Sequence, residues 1–145
     1  MEIQIVSDAN EILDMLYRFD CIFPKLGEKA HDYNLFAQKL TQNAVVCVVK
    51  ENNETCGLSA FYANDFENRV AFITLFGILP KYQRKHLGKQ LMEYCCTESI
   101  SRGMKHIRLE VDLDNSRAIV FYEQNGFVKS DVYTPTSVYM EKTLV

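Results

Sequence analysis

Residues 70–113 constrain the fold more than any other stretch of this chain. Val70–Leu79 reads as a long strand and is ended by Pro80. A turn follows, then an apolar stripe at helical spacing from about His86 to Arg102, made by Leu87, Leu91, Tyr94, Cys95 and Ile100. Gly103 closes that helix as a C-cap. Ile107–Leu113 then alternates. Ile107, Leu109, Val111 and Leu113 face one way, and Arg108, Glu110 and Asp112 face the other. A strand–helix–strand unit of this length is long enough for a parallel crossover.

The rest of the chain is arranged around that unit. Residues 2–6 alternate as a strand. Ser7 or Asp8 caps a helix to about Phe19, with Ile12, Leu13, Leu16 and Tyr17 on one face. The run Phe23-Pro24-Lys25-Leu26-Gly27 breaks it. A second helix is expected from about Lys29 to Gln42, with Tyr33, Phe36, Ala37 and Leu40 inward. Ala44–Val49 and Cys56–Ala63 are strands joined by a polar turn, so with Val70–Leu79 they form an antiparallel meander. Asn115 or Ser116 caps a helix to about Gln124, stopped by Asn125-Gly126. Strands near Phe127–Tyr133 and Ser137–Leu144 follow. The order β-α-α-β-β-β-α-β-α-β-β predicts an α/β (α+β) fold: a mixed, mostly antiparallel sheet of about seven strands with helices on both faces. Residues 1–145 show no linker, repeat or low-complexity stretch, so one domain is expected.

Charge and cysteine usage narrow the function classes. The net charge of −3 argues against a general nucleic-acid binder. Within Lys81–Arg108, however, the chain carries +5, leaving −8 elsewhere. A local basic block in an acidic chain suits either a phosphate-bearing small ligand or a solvated helix face. The five cysteines are odd in number and form no C-x-x-C pair, which argues against a disulfide framework and against a metal site. No basic, apolar leader precedes Ile3 and no apolar run approaches membrane-spanning length. A soluble, reduced, cytoplasmic protein with no membrane partner is expected.

Two constellations carry chemistry. The first runs from Ile78 to Lys89, where a strand ends and a helix begins. The first amides of a helix have no intrahelical acceptors and lie at a positive dipole end, so such a junction holds phosphate oxygens. Gly88 removes a Cβ near a ligand, and Arg84, Lys85 and Lys89 add charge. An ordinary strand–helix junction has the same look. The second runs from Asn115 to Phe127. Asn115 can cap a helix while offering its amide to a ligand. Tyr122, four residues after Ala118, shares a helix face with it. A hydroxyl there can donate a proton, or the residue can be an amphipathic core tyrosine with a wet tip.

Together these segments resemble the GNAT superfamily of acyl-CoA-dependent N-acetyltransferases. Its pattern is V-x-P-x-[YF], then [QR]-x-x-G-x-[GA], then N-x-x-A-x-x-x-Y-x-x-x-G-F. This chain has Ile78-x-Pro80-x-Tyr82, Gln83-x-x-His86-x-Gly88, and Asn115-x-x-Ala118-x-x-x-Tyr122-x-x-x-Gly126-Phe127. The resemblance implies the following site. Strand Phe76-Gly77-Ile78 splays from the strand at 107–113, and the backbone of Phe76 and Ile78 bonds the pantetheine arm of acetyl-CoA in the resulting V. Amides of Arg84, Lys85, His86, Leu87, Gly88 and Lys89 hold the pyrophosphate. Asn115 contacts the pantetheine region, and Tyr122 acts as general acid on the thiolate. The amine attacks the thioester directly, without a metal.

His86 departs from the pattern by replacing its first glycine. As a helical residue it needs no glycine, and its side chain is expected to point to solvent while its amide serves; the other reading is a charged imidazole on phosphate. For the general base, Glu110 is the candidate. In the superfamily's ribosomal-protein alanine acetyltransferases a Leu-Glu-Val segment carries the proposed base twelve residues before the acid tyrosine, and Leu109-Glu110-Val111 stands at that spacing from Tyr122. A solvated or salt-bridged glutamate is the competing reading. Residues 20–34, 64–68 and 131–137, with Phe23, Tyr33, Phe66 and Tyr133, are expected to wall the acceptor pocket. The acceptor is expected to be a small-molecule amine or a peptide N-terminus. Dimers being common in the superfamily, a homodimer stays open. The rival function is a non-catalytic acyl-CoA-binding or regulatory module on the same fold.

Overall fold

Fixed cap chemistry and alternating burial set the elements of this chain. The computed structural model describes residues 1–23, 32–83, 86–132 and 134–144. Strand β1 (Glu2–Val6) leads to helix α1 (Ala9–Arg18), capped by Asp8, whose carboxylate accepts the amides of Asn10 and Glu11. A 3₁₀ turn covers Asp20–Ile22. Helix α2 (Tyr33–Asn43) is capped in the same way by Asp32. The expected start of α2 at Lys29 lies outside the described residues. Strands β2 (Val45–Glu51), β3 (Glu54–Tyr62) and β4 (Val70–Ile78) follow. A second 3₁₀ turn, Pro80–Tyr82, leads to helix α3 (Leu87–Ser101). Strand β5 (His106–Asp112), helix α4 (Ser116–Gln124) and strands β6 (Val128–Val132) and β7 (Ser137–Thr143) complete the order.

The sheet has seven strands in the order β1-β2-β3-β4-β5-β7-β6. All neighbours are antiparallel except β4 and β5, which are parallel as the crossover requires. Each face of the sheet carries a core. On one side α3 and α4 pack over Cys47, Phe61, Ile73, Ile107, Leu109 and Met140. On the other, α1 and α2 cover Val46, Val48, Leu58, Ala60 and Leu75 through Ile12, Leu16, Ala37 and Leu40. Side chains such as Phe61, Leu91 and Ile107 are fully buried; each contributes roughly 1.5–3 kcal/mol of transfer free energy. All five cysteines are free, and Cys47 and Cys56 are core residues as expected.

Several side chains lie off the faces expected of them. Tyr17 is 60% exposed. It lies across α1 from Ile12 and Leu16, and its ring packs on Tyr33 at 5.0 Å. Ile100 is exposed because the buried stripe of α3 runs through Leu91, Met92, Cys95, Cys96 and Ser99. Leu113 is exposed because β5 ends at Asp112. Gly103 and Gly126 have φ of +88° and +94° just past the ends of α3 and α4, the left-handed stops their positions require.

Candidate active site

Strand β4 parts from β5 halfway along. Their parallel pairing is confined to Val70↔His106, Ala71↔Ile107 and Phe72↔Arg108. Just beyond, β4 takes an extra residue. Ala60 of β3 pairs with Leu75 and Phe61 with Ile73, leaving Thr74 as a bulge. A bulge bends its strand and increases its twist. The C-terminal half of β4 therefore leaves β5 and opens a wedge in the sheet.

That wedge exposes backbone. Leu79 donates its amide to the Cys56 carbonyl at 2.8 Å. Antiparallel pairing alternates, so Gly77 also turns its polar groups to β3, while those of Phe76 and Ile78 turn to the open edge. The Ile78 carbonyl is engaged there by Gln83 Nε2 at 3.0 Å. The Ile78 amide and both backbone groups of Phe76 remain for a ligand. Gly77 serves the other face, since a Cβ on it would lie 2.6 Å from Ile22 Cδ1 and 3.2 Å from the Phe23 ring.

The helix α3 begins at the mouth of the wedge. His86 is its N-cap, with φ +61° and ψ 13°, and no side chain caps the helix. The expectation of a helical His86 is therefore corrected: the residue is left-handed, a conformation that favours glycine. Its side chain is exposed. The first bond of the helix is from the Gln90 amide to the His86 carbonyl at 3.2 Å. The amides of Leu87, Gly88 and Lys89 precede it and lack intrahelical acceptors. The Leu87 side chain enters the core. Gly88 has a packing role as well, because a Cβ there would sit 3.2 Å from the Phe121 ring. Arg84 and Lys85 lie outside the described residues.

Helix α4 forms the opposite wall. Asn115 caps it, its Oδ1 accepting the Ala118 amide at 3.2 Å. The Asn115 amide nitrogen is thereby turned away from the helix backbone. Tyr122 sits one turn beyond Ala118, among the rings of Phe76, Phe121 and Phe127 at centroid distances of 6.3, 5.6 and 5.8 Å. Burial pushes its hydroxyl from the ordinary 10.0 up to about 12. The proton is thus held firmly at neutral pH.

One open cleft of about 540 Å³ gathers most of these groups. Phe76, Gly77, Ile78, His86, Gly88, Lys89, Asn115 and Tyr122 all line it. Glu110 does not. It alternates with buried Leu109 and Val111, which share a core with Tyr122, so its carboxylate lies on the other face of the sheet. There it is exposed and accepts the Ser137 hydroxyl at 2.6 Å. On that same face the Arg108 guanidinium stacks over the Tyr139 ring at 4.5 Å and pairs with Asp131 at 3.1 Å. Of the expected acceptor walls, Phe23 abuts β4 at Gly77 and the Tyr33 hydroxyl bonds Asp20. Phe66 is 66% exposed. Tyr133 lies outside the described residues.

The sequence assigns no side-chain contact to two residues of the cleft, Gln83 and Arg117. Gln83 stood in the first motif and Arg117 in the second, but nothing in either motif says that their side chains meet. The Arg117 Nη2 donates to Gln83 Oε1 at 2.8 Å, tying the turn after β4 to the start of α4. Tyr82 anchors the same turn, with its ring buried and its hydroxyl on Glu54.

The chain is similar to known proteins in sequence and in fold. The profile of the Acetyltransferase (GNAT) family matches residues 12–127. The [Ribosomal protein bS18]-alanine N-acetyltransferase of Escherichia coli (strain K12) is 38% identical over 77 residues, which are 50% of this chain and 52% of that protein. The chain thus spans about half the length of the curated relatives it matches. The crystal structure of ribosomal-protein-S18-alanine N-acetyltransferase from Escherichia coli superposes with a TM-score of 0.74 at 21% identity, covering 99% of this chain and 94% of that one. Aminoglycoside 6'-acetyltransferase type Ii gives 0.79 at 20% identity, covering 100% and 98%. Aminoglycoside 6'-N-acetyltransferase complexed with coenzyme A gives 0.77 at 15% identity, covering 100% and 98%. At these identities the structural likeness shows the fold.

Proposed function

The chain belongs to the Acetyltransferase (GNAT) family, and from that premise we propose that it moves an acetyl group from acetyl-CoA to a primary amine. The observation that carries the reading is the convergence, in one cleft, of the open β4 edge, an uncapped helix N-terminus, the Asn115 amide and the Tyr122 hydroxyl. A pantetheine arm carries amides, and the backbone groups of Phe76 with the amide of Ile78 offer the strand-like partners those amides need. A pyrophosphate needs amide donors and positive charge, and the amides of Leu87, Gly88 and Lys89 supply both. Residues 1–145 act, in this reading, as one acetyltransferase domain of a cytoplasmic protein.

The chemistry assigned to these residues is direct transfer. The lone pair of the amine nitrogen forms the new C–N bond while the C–S bond of the thioester breaks. Tyr122 gives its hydroxyl proton to the departing sulfur and recovers it from solvent. The proton that the attacking nitrogen loses goes to Glu110, directly or through water, across the wedge between β4 and β5. Glu110 and Tyr122 lie on opposite faces of the sheet, so the acceptor approaches from the α1–α2 side and acetyl-CoA from the α3–α4 side. The acceptor is a small-molecule amine or a peptide N-terminus, and the curated relatives with a ribosomal-protein acceptor make the latter a natural first arm of any screen.

The test is thiol release from acetyl-CoA against a panel of amines, amino sugars and peptides with free N-termini. Release with one class is expected and identifies the acceptor. Binding of acetyl-CoA with no release on any panel points instead to a non-catalytic acyl-CoA-binding module.

A further inference from the structure

Arg117 occupies an electrostatically unfavourable place. It stands in the first turn of α4, where unpaired amides leave a partial positive charge and a cation is disfavoured. Among the described residues no carboxylate pairs with it. Its partner is the neutral amide oxygen of Gln83, 2.8 Å from Nη2. The guanidinium is exposed and lines the cleft that also receives the N-terminus of α3 and the Lys89 side chain. Among the described residues two helix N-termini and two cations, Lys89 and Arg117, thus face one space, and no carboxylate lines it.

Gln83 fixes the geometry. Its Nε2 donates to the Ile78 carbonyl at 3.0 Å while its Oε1 accepts from Arg117. The amide cannot be turned round, because its NH₂ would then face guanidinium donors and its oxygen a carbonyl. One side chain therefore sets the position of the cation relative to the strand edge that is to hold the pantetheine arm.

We propose that Arg117 is a phosphate-binding residue of the cleft and that Gln83 is its positioning residue. The proposal rests on the acyl-CoA reading of the cleft and extends it by assigning a side-chain contact. Bidentate guanidinium donors match phosphate oxygens well, and a cation held by a neutral amide is released to an anion at little cost.

Calorimetric titration separates the outcomes. Coenzyme A and acetyl-pantetheine, which lacks every phosphate of the cofactor, are titrated into the wild-type chain, R117Q, R117K and Q83M at two salt concentrations. R117Q is expected to weaken coenzyme A binding by about tenfold or more, the range of one charge-assisted contact. Its acetyl-pantetheine affinity should match the wild type, its salt dependence should be shallower, and its Tm unchanged or slightly raised. R117K should restore the salt dependence but only part of the affinity. Q83M should lose less than R117Q. Unchanged coenzyme A affinity in R117Q overturns the assignment. Equal losses for coenzyme A and acetyl-pantetheine also overturn it, because Arg117 would then act only by bracing the β4 edge. A wild-type chain that binds neither compound overturns the underlying reading of the cleft instead.

Discussion

Replacing His86 by glycine should stabilise this protein, even though it deletes a side chain. His86 has φ +61°, and a left-handed residue with a Cβ costs roughly 1–2 kcal/mol. Glycine removes that cost but gives the unfolded chain more freedom, which takes back about 0.4–1 kcal/mol. The side chain is exposed, so little packing is lost with it. The balance is a gain of about 0.5–1 kcal/mol, or roughly 2–3 °C in Tm for a chain of this size. His86→Ala is the control. It also deletes the imidazole but keeps the Cβ, so it should gain nothing. Urea and thermal unfolding of the three proteins, measured side by side, decide the matter. If glycine proves no more stable than alanine, the left-handed strain assigned to this position is wrong. The same variants test the site. With phosphate held by backbone amides, His86→Gly should leave the KM for acetyl-CoA nearly unchanged, and a large rise would show that the imidazole itself contributes.

Three further variants have expected outcomes. Tyr122→Phe should lower turnover by about 10²–10⁴-fold with acetyl-CoA affinity kept, as for loss of a general acid; a rate within a few-fold of wild type removes Tyr122 from the chemistry. Because burial raises this hydroxyl from 10.0 to about 12, the stability it contributes is fully present below pH 10.0 and is lost as pH rises toward 12, so urea unfolding of Tyr122→Phe should be less pH-dependent in that window than wild type. Glu110→Gln should reduce turnover and remove an acidic limb from the rate–pH profile, and an unaltered profile counts against its role as base. Gly77→Ala should lower the urea midpoint, by about 1 kcal/mol in stability, because its Cβ would lie 2.6 Å from Ile22 Cδ1; an unshifted midpoint would mean that the Ile22–Phe23 segment yields freely.

The element order and the parallel crossover were legible because they depend on periodicity and punctuation. Alternation in 107–112, the helical stripe of α3, and the stops at Gly103 and Gly126 are all local signals, and the structure realises each one. Side chains near element ends were less legible. Ile100 and Leu113 are apolar and in phase with a plausible stripe or strand, yet whether a residue is covered depends on where its neighbour ends. Tyr17 finds its partner on α2, across the break between two helices, and a one-helix periodicity contains no term for that.

The site divides along the same line. Motif spacing brought Ile78, Gly88, Asn115 and Tyr122 to attention, and they do share a cleft. What makes the cleft is the bulge at Thr74, and no residue there announces it. Thr74 is an ordinary strand residue whose extra place in the ladder emerges only when β3 pairs on one side and β5 on the other. His86 shows the converse. The replaced glycine is visible in the sequence, where a helical His86 needs none, but the structure makes it a question of backbone handedness. A motif glycine does not announce which φ it adopts, and only the structure supplies it. The tie between Gln83 and Arg117 is a third kind of information. The two residues are 34 apart in the chain, Gln83 at a position its motif specifies and Arg117 at one its motif leaves variable, and neither motif says that they meet. Through Gln83 a cation is tied to the end of the strand edge that is free for a ligand, and it is this coupling that makes Arg117 worth testing before any residue chosen for its charge alone.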